Sequence, residues 1–523
     1  MNRFLFVGSL GLVGVLLASC NSGSPQPPAA PTNVSAVSSP GSVTVAWQDA
    51  GSSVSGFTLY RWAAGSGGSA STSTQLTTVG AGATTYRDYT ADPSTSYVYA
   101  VEATGPGGTS SATQASAAAA PTPATLNVAV NTAAEQTLLQ GTAGRYETSH
   151  PAVTVTVTAH PSSYKSYVDS TLGSGSSSVD VAELDVIWPA EYASDLADLE
   201  AMSGTSVSGD FFTYASTAGT VGGTLIAAPW YADVGLLYYR TDLLQKYGFS
   251  GPPATWSDLE SMAQTIQSGE QATNSSFVGY VWEGAAAEGL TCNALEWFAS
   301  SGGGDIISSQ DVITVDNAQA VAALTAAVDW VSGSTPISPS NVTSMTAEGA
   351  RSVWDAENAA FMRNWAYAYA ATAANTNLAG KFDVAPLPSA SGGTGTGTLG
   401  GWMLGVASHG AHPHVATNFV LYATSAAEEV HVATDAGYLP SRPGVYSDAS
   451  VQAALPFSAT ALTALSNAVT RPSVVTGSNY GQVSAAVYTR VHNALSGSSS
   501  PATALQNLQS DLVSITGFTT GSP

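Results

Sequence analysis

The chain has 523 residues, of which 44% are hydrophobic, so it is too long for one ordinary domain and has enough apolar side chains for a globular core. It carries 36 acidic and 13 basic side chains, a net charge of −23, which argues against nucleic acid or an anionic membrane surface as the main partner. Only 9% of the residues are charged, so an acidic residue inside an aromatic stretch is informative.

The first 20 residues predict an export signal. Arg3 supplies a positive flank, and residues 4–18 form an apolar run that is too short to span a bilayer. The run ends in Leu-Ala-Ser followed by Cys20, which resembles the lipobox of bacterial lipoproteins. The resemblance implies a signal peptide over residues 1–20 and a protein exported to the periplasmic or extracytoplasmic face, anchored in the membrane by lipid on Cys20. An ordinary signal peptide that happens to contain a cysteine is the alternative.

A small β-rich module is predicted next. A Ser/Pro-rich tether over residues 21–30 precedes alternating strands at 43–47, 56–61 and 97–103, which predict a β-sandwich. Residues 31–118 resemble fibronectin type III domains, which implies a spacer or adhesive module without a binding site of its own. The residues that carry this resemblance are Trp47, Tyr60, Tyr86, Asp88 and Tyr97.

A linker over residues 119–125 leads into a different pattern. A strand at 126–130, helical spacing over 133–150 and an alternating strand at 153–157 form a β-α-β opening. This predicts an α/β domain over residues 126–520 with a largely parallel sheet. Ligands of such sheets gather at the carboxyl ends of the strands.

The most informative run is residues 228–240. It places the carboxylate of Asp233 among aromatic side chains, directly ahead of an apolar Leu-Leu-Tyr-Tyr strand. A carboxylate accepts hydrogen bonds, and an aromatic face covers C–H surface; a sugar offers both hydroxyls and C–H faces. The run therefore predicts a sugar site. A turn or a helix N-cap is the alternative for Asp233, and the strand that follows disfavours the N-cap.

Several motifs follow one another in a fixed order, and together they resemble the extracellular solute-binding proteins of sugar ABC importers. The similarity is greatest to the trehalose/maltose-binding group and extends from about Leu126 to the C-terminus. The motifs lie at residues 185–189, 229–240, 242–248, 253–256, 288–297, 361–367, 399–402, 439–442 and 471–472.

This resemblance implies a fold and a function. The fold is a two-lobed α/β periplasmic-binding-protein fold with a hinge, which closes on its ligand. The function is capture of a di- or oligosaccharide of the maltose or trehalose kind and delivery to an ABC import permease, with no cofactor and no catalysis. The residues that match the family's ligand contacts are Glu135, Asp185, Tyr231, Asp233, Trp365, Tyr367, Gly401, Trp402 and Arg471.

Two other functions remain open at this stage. A glycoside hydrolase would need a carboxyl pair about 5–9.5 Å apart, and Asp185 and Asp233 are the available candidates. A surface glycan sensor or adhesin would use the β-rich module as a display stalk. His409, His412 and His414 are interpreted as a surface turn, and no metal site is predicted.

Overall fold

The computed structural model describes residues 25–49, 51 and 53–523. The predicted signal peptide, Cys20 and the first residues of the tether lie outside this part of the chain. The described chain forms two compact units, which separate between Pro123 and Ala124 except that residues 150–152 group with the first. None of its helices is both long and apolar enough to cross a membrane.

The first unit consists of two antiparallel sheets that share one core. Residues of one sheet, such as Trp47, pack against residues of the other, such as Phe57, whose ring centroid lies 5.3 Å away. The predicted linker pairs with this unit, because Ala119 bonds to Tyr97. The strands are β1 Thr32–Ser39, β2 Ser42–Gln48, β3 Gly56–Ala63, β4 Thr74–Gly80, β5 Thr85–Asp88, β6 Tyr97–Gly105, β7 Gly108–Thr109 and β8 Thr113–Gln114. One sheet has the order β1-β2-β5, and the other has the order β4-β3-β6-β7 with β8 on β6.

The second unit is a mixed α/β structure. Its strands are β9 Ala124–Val130, β10 Val153–Ala159, β11 Val181–Asp185, β12 Thr220–Val221, β13 Thr224–Leu225, β14 Ala227–Arg240, β15 Val278–Val281, β16 Val312–Ile313, β17 Ala359–Trp365, β18 Phe382–Ala385, β19 Leu399–Val406 and β20 Thr519–Thr520.

The helices of this unit surround the strands. They are α1 Ala133–Ser149, α2 Tyr164–Thr171, α3 Leu199–Ser203, α4 Thr213–Ala218, α5 Thr241–Lys246, α6 Trp256–Glu270, α7 Glu288–Ser300, α8 Ala318–Ser332, α9 Ala347–Asp355, α10 Ala368–Ala374, α11 Pro413–Ala423, α12 Ala426–Ala436, α13 Ala449–Ala454, α14 Ser458–Ser466, α15 Ser473–Thr476, α16 Tyr480–Leu495 and α17 Pro501–Thr516.

The main sheet has the order β10-β9-β11-β19-β14-β17-β15, and β18 also pairs with β14. The β-α-β opening is parallel as predicted, since β9 pairs in parallel with both β10 and β11. The expectation of a largely parallel sheet is wrong, because β19 is antiparallel to β11 and β14, and β14 is antiparallel to β17 and β18. Each of these antiparallel pairs includes β14 or β19.

Strand β14 joins the lobes. Its first half pairs with β19 in the sheet of the first lobe, and its second half pairs with β17 and β18 in the sheet of the second lobe. Two further segments cross beside it: Gly235 N–H donates to the carbonyl of Thr398 at 3.3 Å, and Leu399 N–H donates to the carbonyl of Val469 at 2.8 Å. The second unit is therefore two-lobed, as predicted, with its crossing segments in the middle of the sheet.

Candidate functional site

A cleft of about 280 Å³ lies where these crossing segments meet. Its volume is close to the lower end of the roughly 300–1,000 Å³ typical of small-molecule sites. Residues from both lobes and from the crossing segments form its walls. They are Asp185, Asp233, Glu283, Glu288, Gly289, Cys292, Trp365, Tyr367, Gly400, Gly401, Trp402 and Arg471.

Asp233 lies at the point where β14 passes from one lobe to the other. Its Oδ1 accepts the N–H groups of Val234 at 2.8 Å and Ala366 at 2.7 Å. Burial raises the pKa of Asp233 to about 7, although these backbone bonds and Arg363 act in the opposite direction. The carboxyl group therefore has one oxygen committed to the backbone, lines the cleft and titrates near neutral pH.

Arg471 is the only guanidinium among the residues that line the cleft. It is 6% exposed, and it pairs with Glu288 at 2.9 Å and approaches Asp185 at 3.6 Å. Its Nη2 also donates to the carbonyl of Leu399 at 3.2 Å, whereas its buried Nε has no acceptor among the described residues. Burial raises the pKa of Asp185, and the charge of Arg471 partly offsets the rise. The guanidinium thus keeps one N–H group unused.

Three aromatic side chains line the cleft. The guanidinium carbon of Arg363 lies 4.1 Å from the ring centroid of Trp365, and the hydroxyl of Tyr367 donates to Glu348 at 2.6 Å. Trp402 meets Trp188 edge to face, with ring centroids 5.6 Å apart. These contacts hold the rings in place on the first and second lobes, so their exposed faces are available to a ligand.

Two glycines bring the backbone close to these rings. A Cβ at Gly400 would lie 2.7 Å from Cζ3 of Trp365, so the indole rests directly on the strand. Gly401 has φ of +112°, and a Cβ there would overlap the carbonyl oxygen of Tyr231. Only glycine fits at position 401 without strain, which explains the glycine pair beside Trp402.

The structure brings together seven of the nine predicted contacts and places Glu135 and Tyr231 outside the cleft wall. Glu135 is 5% exposed, and its Oε2 accepts the Thr132 N–H at 2.7 Å in a capping box at the start of α1. Its Oε1 accepts the hydroxyl of Tyr231 at 2.7 Å. Because these polar groups satisfy one another, they buttress the first lobe behind the cleft.

Sequence reasoning missed five lining residues: Glu283, Glu288, Gly289, Cys292 and Gly400. Glu288 lies in the motif at residues 288–297 and accepts hydrogen bonds from Arg471, Tyr480 and Ser484. Cys292 lies in the same motif and is 1% exposed. Glu283 carries no local sequence signal, because the loop after β15 brings it into the wall.

His409 and His412 lie between β19 and α11, and His414 lies in the first turn of α11. The N–H of His412 donates to Asp180 at 3.1 Å. Nowhere in residues 25–49, 51 and 53–523 do three or more His, Cys, Asp or Glu side chains come close enough to hold a metal ion.

Comparisons with known proteins agree with this architecture. The family model of bacterial extracellular solute-binding proteins matches residues 119–430. A curated protein of Deinococcus radiodurans, described as a probable ABC transporter-binding protein, is 45% identical over 347 residues, which make up 66% of this chain and 82% of that protein.

Two solved structures illustrate the similarity of fold. Maltose-bound MalE3 of T. maritima is 34% identical, with a TM-score of 0.67, and the alignment covers 74% of this chain and 98% of that one. The GacH receptor of Streptomyces glaucescens, solved unliganded and with acarbose, is 24% identical with a TM-score of 0.65, over 76% of this chain and 99% of that one. Because the family model matches more than half of the chain and the Deinococcus relative is 45% identical over 347 residues, the chain belongs to the bacterial extracellular solute-binding proteins.

Proposed function

We propose that this protein captures a di- or oligosaccharide of the maltose or trehalose kind in the interlobe cleft and delivers it to the permease of an ABC importer. The observation that carries the proposal is the combination of hydroxyl acceptors and indole faces at the crossing point of two lobes. Asp185 and Asp233 supply the acceptors, and Trp365 and Trp402 supply the faces. The similarity to maltose-bound MalE3 supports the same ligand class.

The arrangement also supplies a mechanism for signalling occupancy. The cleft walls come from both lobes, so a ligand that contacts both walls favours the closed arrangement by the difference in its affinity for the two states. Asp233 and Gly401 lie on the crossing strands β14 and β19. A small rotation of one lobe against the other would change the distance between the cleft walls at this point. A permease that recognises the closed form would then accept only the loaded protein.

The remaining parts of the chain fit an exported lipoprotein. We infer that Cys20 carries the lipid anchor and that residues 31–118 form a fibronectin type III spacer that precedes the two-lobed unit in the chain. The two packed antiparallel sheets and their Trp47–Phe57 core support this assignment of the spacer.

The experiment is calorimetry of the purified protein with maltose, trehalose and longer glucans, combined with chromatography of the sugar after prolonged incubation. Saturable heat with unchanged sugar supports the binding protein. Released glucose or shortened glucans would instead establish a glycoside hydrolase. Uptake assays in cells with and without the protein then separate delivery to a permease from a surface glycan sensor, since a sensor would leave uptake unchanged.

A further inference from the structure

The charges around the cleft are unbalanced. Four carboxylates line it, from Asp185, Asp233, Glu283 and Glu288, and Arg471 is the only lining residue with a positive charge. Arg471 is already shared between Glu288 and Asp185. The nearby guanidinium of Arg363 forms a buried pair with Glu296, through Nε and Oε2 at 2.8 Å. Asp233 and Glu283 therefore have no dedicated cation.

One carboxylate oxygen of Glu283 is left unpaired by the fold: its Oε2 is buried without a hydrogen-bond partner in the described part of the chain. Burial raises the pKa of Glu283, and attraction to Arg363 together with hydrogen bonding from Trp365 and Ala347 opposes the rise. Leaving a buried acceptor unpaired is unfavourable, so a ligand that donates a hydrogen bond to this oxygen stabilises the site.

The carboxyl group of Glu283 lies against the first turn of α7. A Cβ at Gly289 would overlap this carboxyl group, so the position of Glu283 depends on the glycine. Arg471 adds a complementary feature, because its buried Nε is a donor without an acceptor. The cleft thus presents both an unused acceptor and an unused donor, which is the pattern that a sugar hydroxyl satisfies.

We propose that Glu283 is a ligand contact and that, together with Asp233, it makes the cleft accept neutral or amino-bearing sugars and reject anionic ones. This inference rests on the proposed function. A neutral hydroxyl or an ammonium group donates to the free carboxylate oxygens, and the ammonium group adds charge attraction. A sugar carboxylate or phosphate would instead enter a cleft with four carboxylates and one shared guanidinium, and like charges in a partly buried site repel strongly.

The test uses sugars that differ only in charge. Maltose and trehalose are compared by calorimetry at pH 8 with their 6-carboxylate and 6-amino-6-deoxy derivatives, which are similar in size. We expect the carboxylate derivative to bind at least about tenfold more weakly than the parent sugar, and the amino derivative to bind at least as tightly as the parent. In Glu283→Gln, the preference for the parent sugar over the carboxylate should fall about threefold or more, because the amide keeps the shape of the carboxyl group and loses its charge.

Two further variants separate charge from structure. Gly289→Ala should weaken binding of the neutral sugar by displacing Glu283, although alanine is the better helix former. Asp329→Asn removes an exposed charge on α8 and should leave every ratio at the wild-type value. Equal affinities for carboxylate and parent, or an unchanged ratio in Glu283→Gln, would overturn the inference alone. Failure of all six sugars to bind would overturn the proposed function, and this inference with it.

Discussion

The carboxylate of Asp233 accepts the backbone N–H of Ala366 at 2.7 Å, and this bond joins a crossing strand to the segment between β17 and α10. Asp233 is therefore both a lining residue of the cleft and a link within the hinge region. The helix N-cap alternative for Asp233 is wrong, because the residue lies within strand β14 and its side chain lines the cleft.

We predict that sugar affinity depends on pH through Asp233. Its pKa is raised to about 7 in the unliganded protein, and a sugar hydroxyl donates to the ionised form. Affinity should therefore be greatest above pH 7 and fall by up to about tenfold per pH unit below it. Calorimetry from pH 5 to pH 8 measures this, and Asp233→Asn should bind more weakly, with an affinity that does not change with pH.

Asp233→Ala should lose more than about 1.5 kcal/mol of binding free energy at pH 8.

The same group affects stability with a definite sign. Its folded pKa of about 7 exceeds the ordinary aspartate pKa of 3.8, so between these two pH values the folded state holds a proton that the unfolded state has released. The unliganded protein should lose stability as pH rises from about 4 to about 7, and Asp233→Asn should reduce that loss. A wild-type pH profile in Asp233→Asn, for both binding and stability, would remove Asp233 from the site.

Trp402 provides a second prediction. Trp402→Ala removes a ring that lines the cleft and contacts Trp188, so sugar binding should weaken by about 1 kcal/mol or more. The change in intrinsic fluorescence on sugar addition should also shrink. Trp62→Phe, in the first unit, removes one indole from β3 and serves as the control, with unchanged affinity. A full fluorescence response in Trp402→Ala would show that the sugar contacts another wall.

The sequence predicted the parts of the fold that depend on local pattern. The β-α-β opening and the Leu-Leu-Tyr-Tyr strand that follows Asp233 are predicted from side-chain periodicity and turn residues. The direction of the strands in the middle of the sheet could not be predicted in this way, because the pairing of β14 with β19 joins residues more than 150 positions apart. Local periodicity contains no information about such a pairing.

The candidate site shows the same division. Asp233 and Trp402 stand out in the sequence, because an acid among aromatics and an indole beside two glycines are unusual. Glu283 does not stand out, because its position depends on the loop after β15 and on the absence of a side chain at Gly289. Glu135 was predicted as a contact through the family resemblance, whereas its carboxylate is occupied by Thr132 and Tyr231.

The buried ion pair behind the cleft gives a stability prediction. Glu296 and Arg363 are each 1% exposed, and Glu296 Oε1 also accepts the N–H of Thr398 at 3.0 Å. Arg363→Met should lower the free energy of unfolding by about 3–5 kcal/mol, since it leaves a buried carboxylate without its partner. The double variant with Glu296→Gln should be less destabilised than the sum of the single variants. Urea denaturation measures all three, and strict additivity would show that the two groups act independently.

Gly401 gives a prediction that separates backbone strain from steric overlap. Gly401 and Gly222 both have positive φ, +112° and +59°, but only at Gly401 would a Cβ overlap a backbone atom, the carbonyl oxygen of Tyr231. Gly222→Ala should cost about 1 kcal/mol, from the backbone conformation alone. Gly401→Ala should cost more than about 3 kcal/mol and abolish sugar binding, because β14 and β19 must separate to admit the methyl group. Urea denaturation of the unliganded variants, followed by calorimetry with maltose, measures both effects. Equal losses of stability in the two variants would mean that the crossing strands yield easily, and the rigid contact between Gly401 and Tyr231 would then have no part in shaping the cleft.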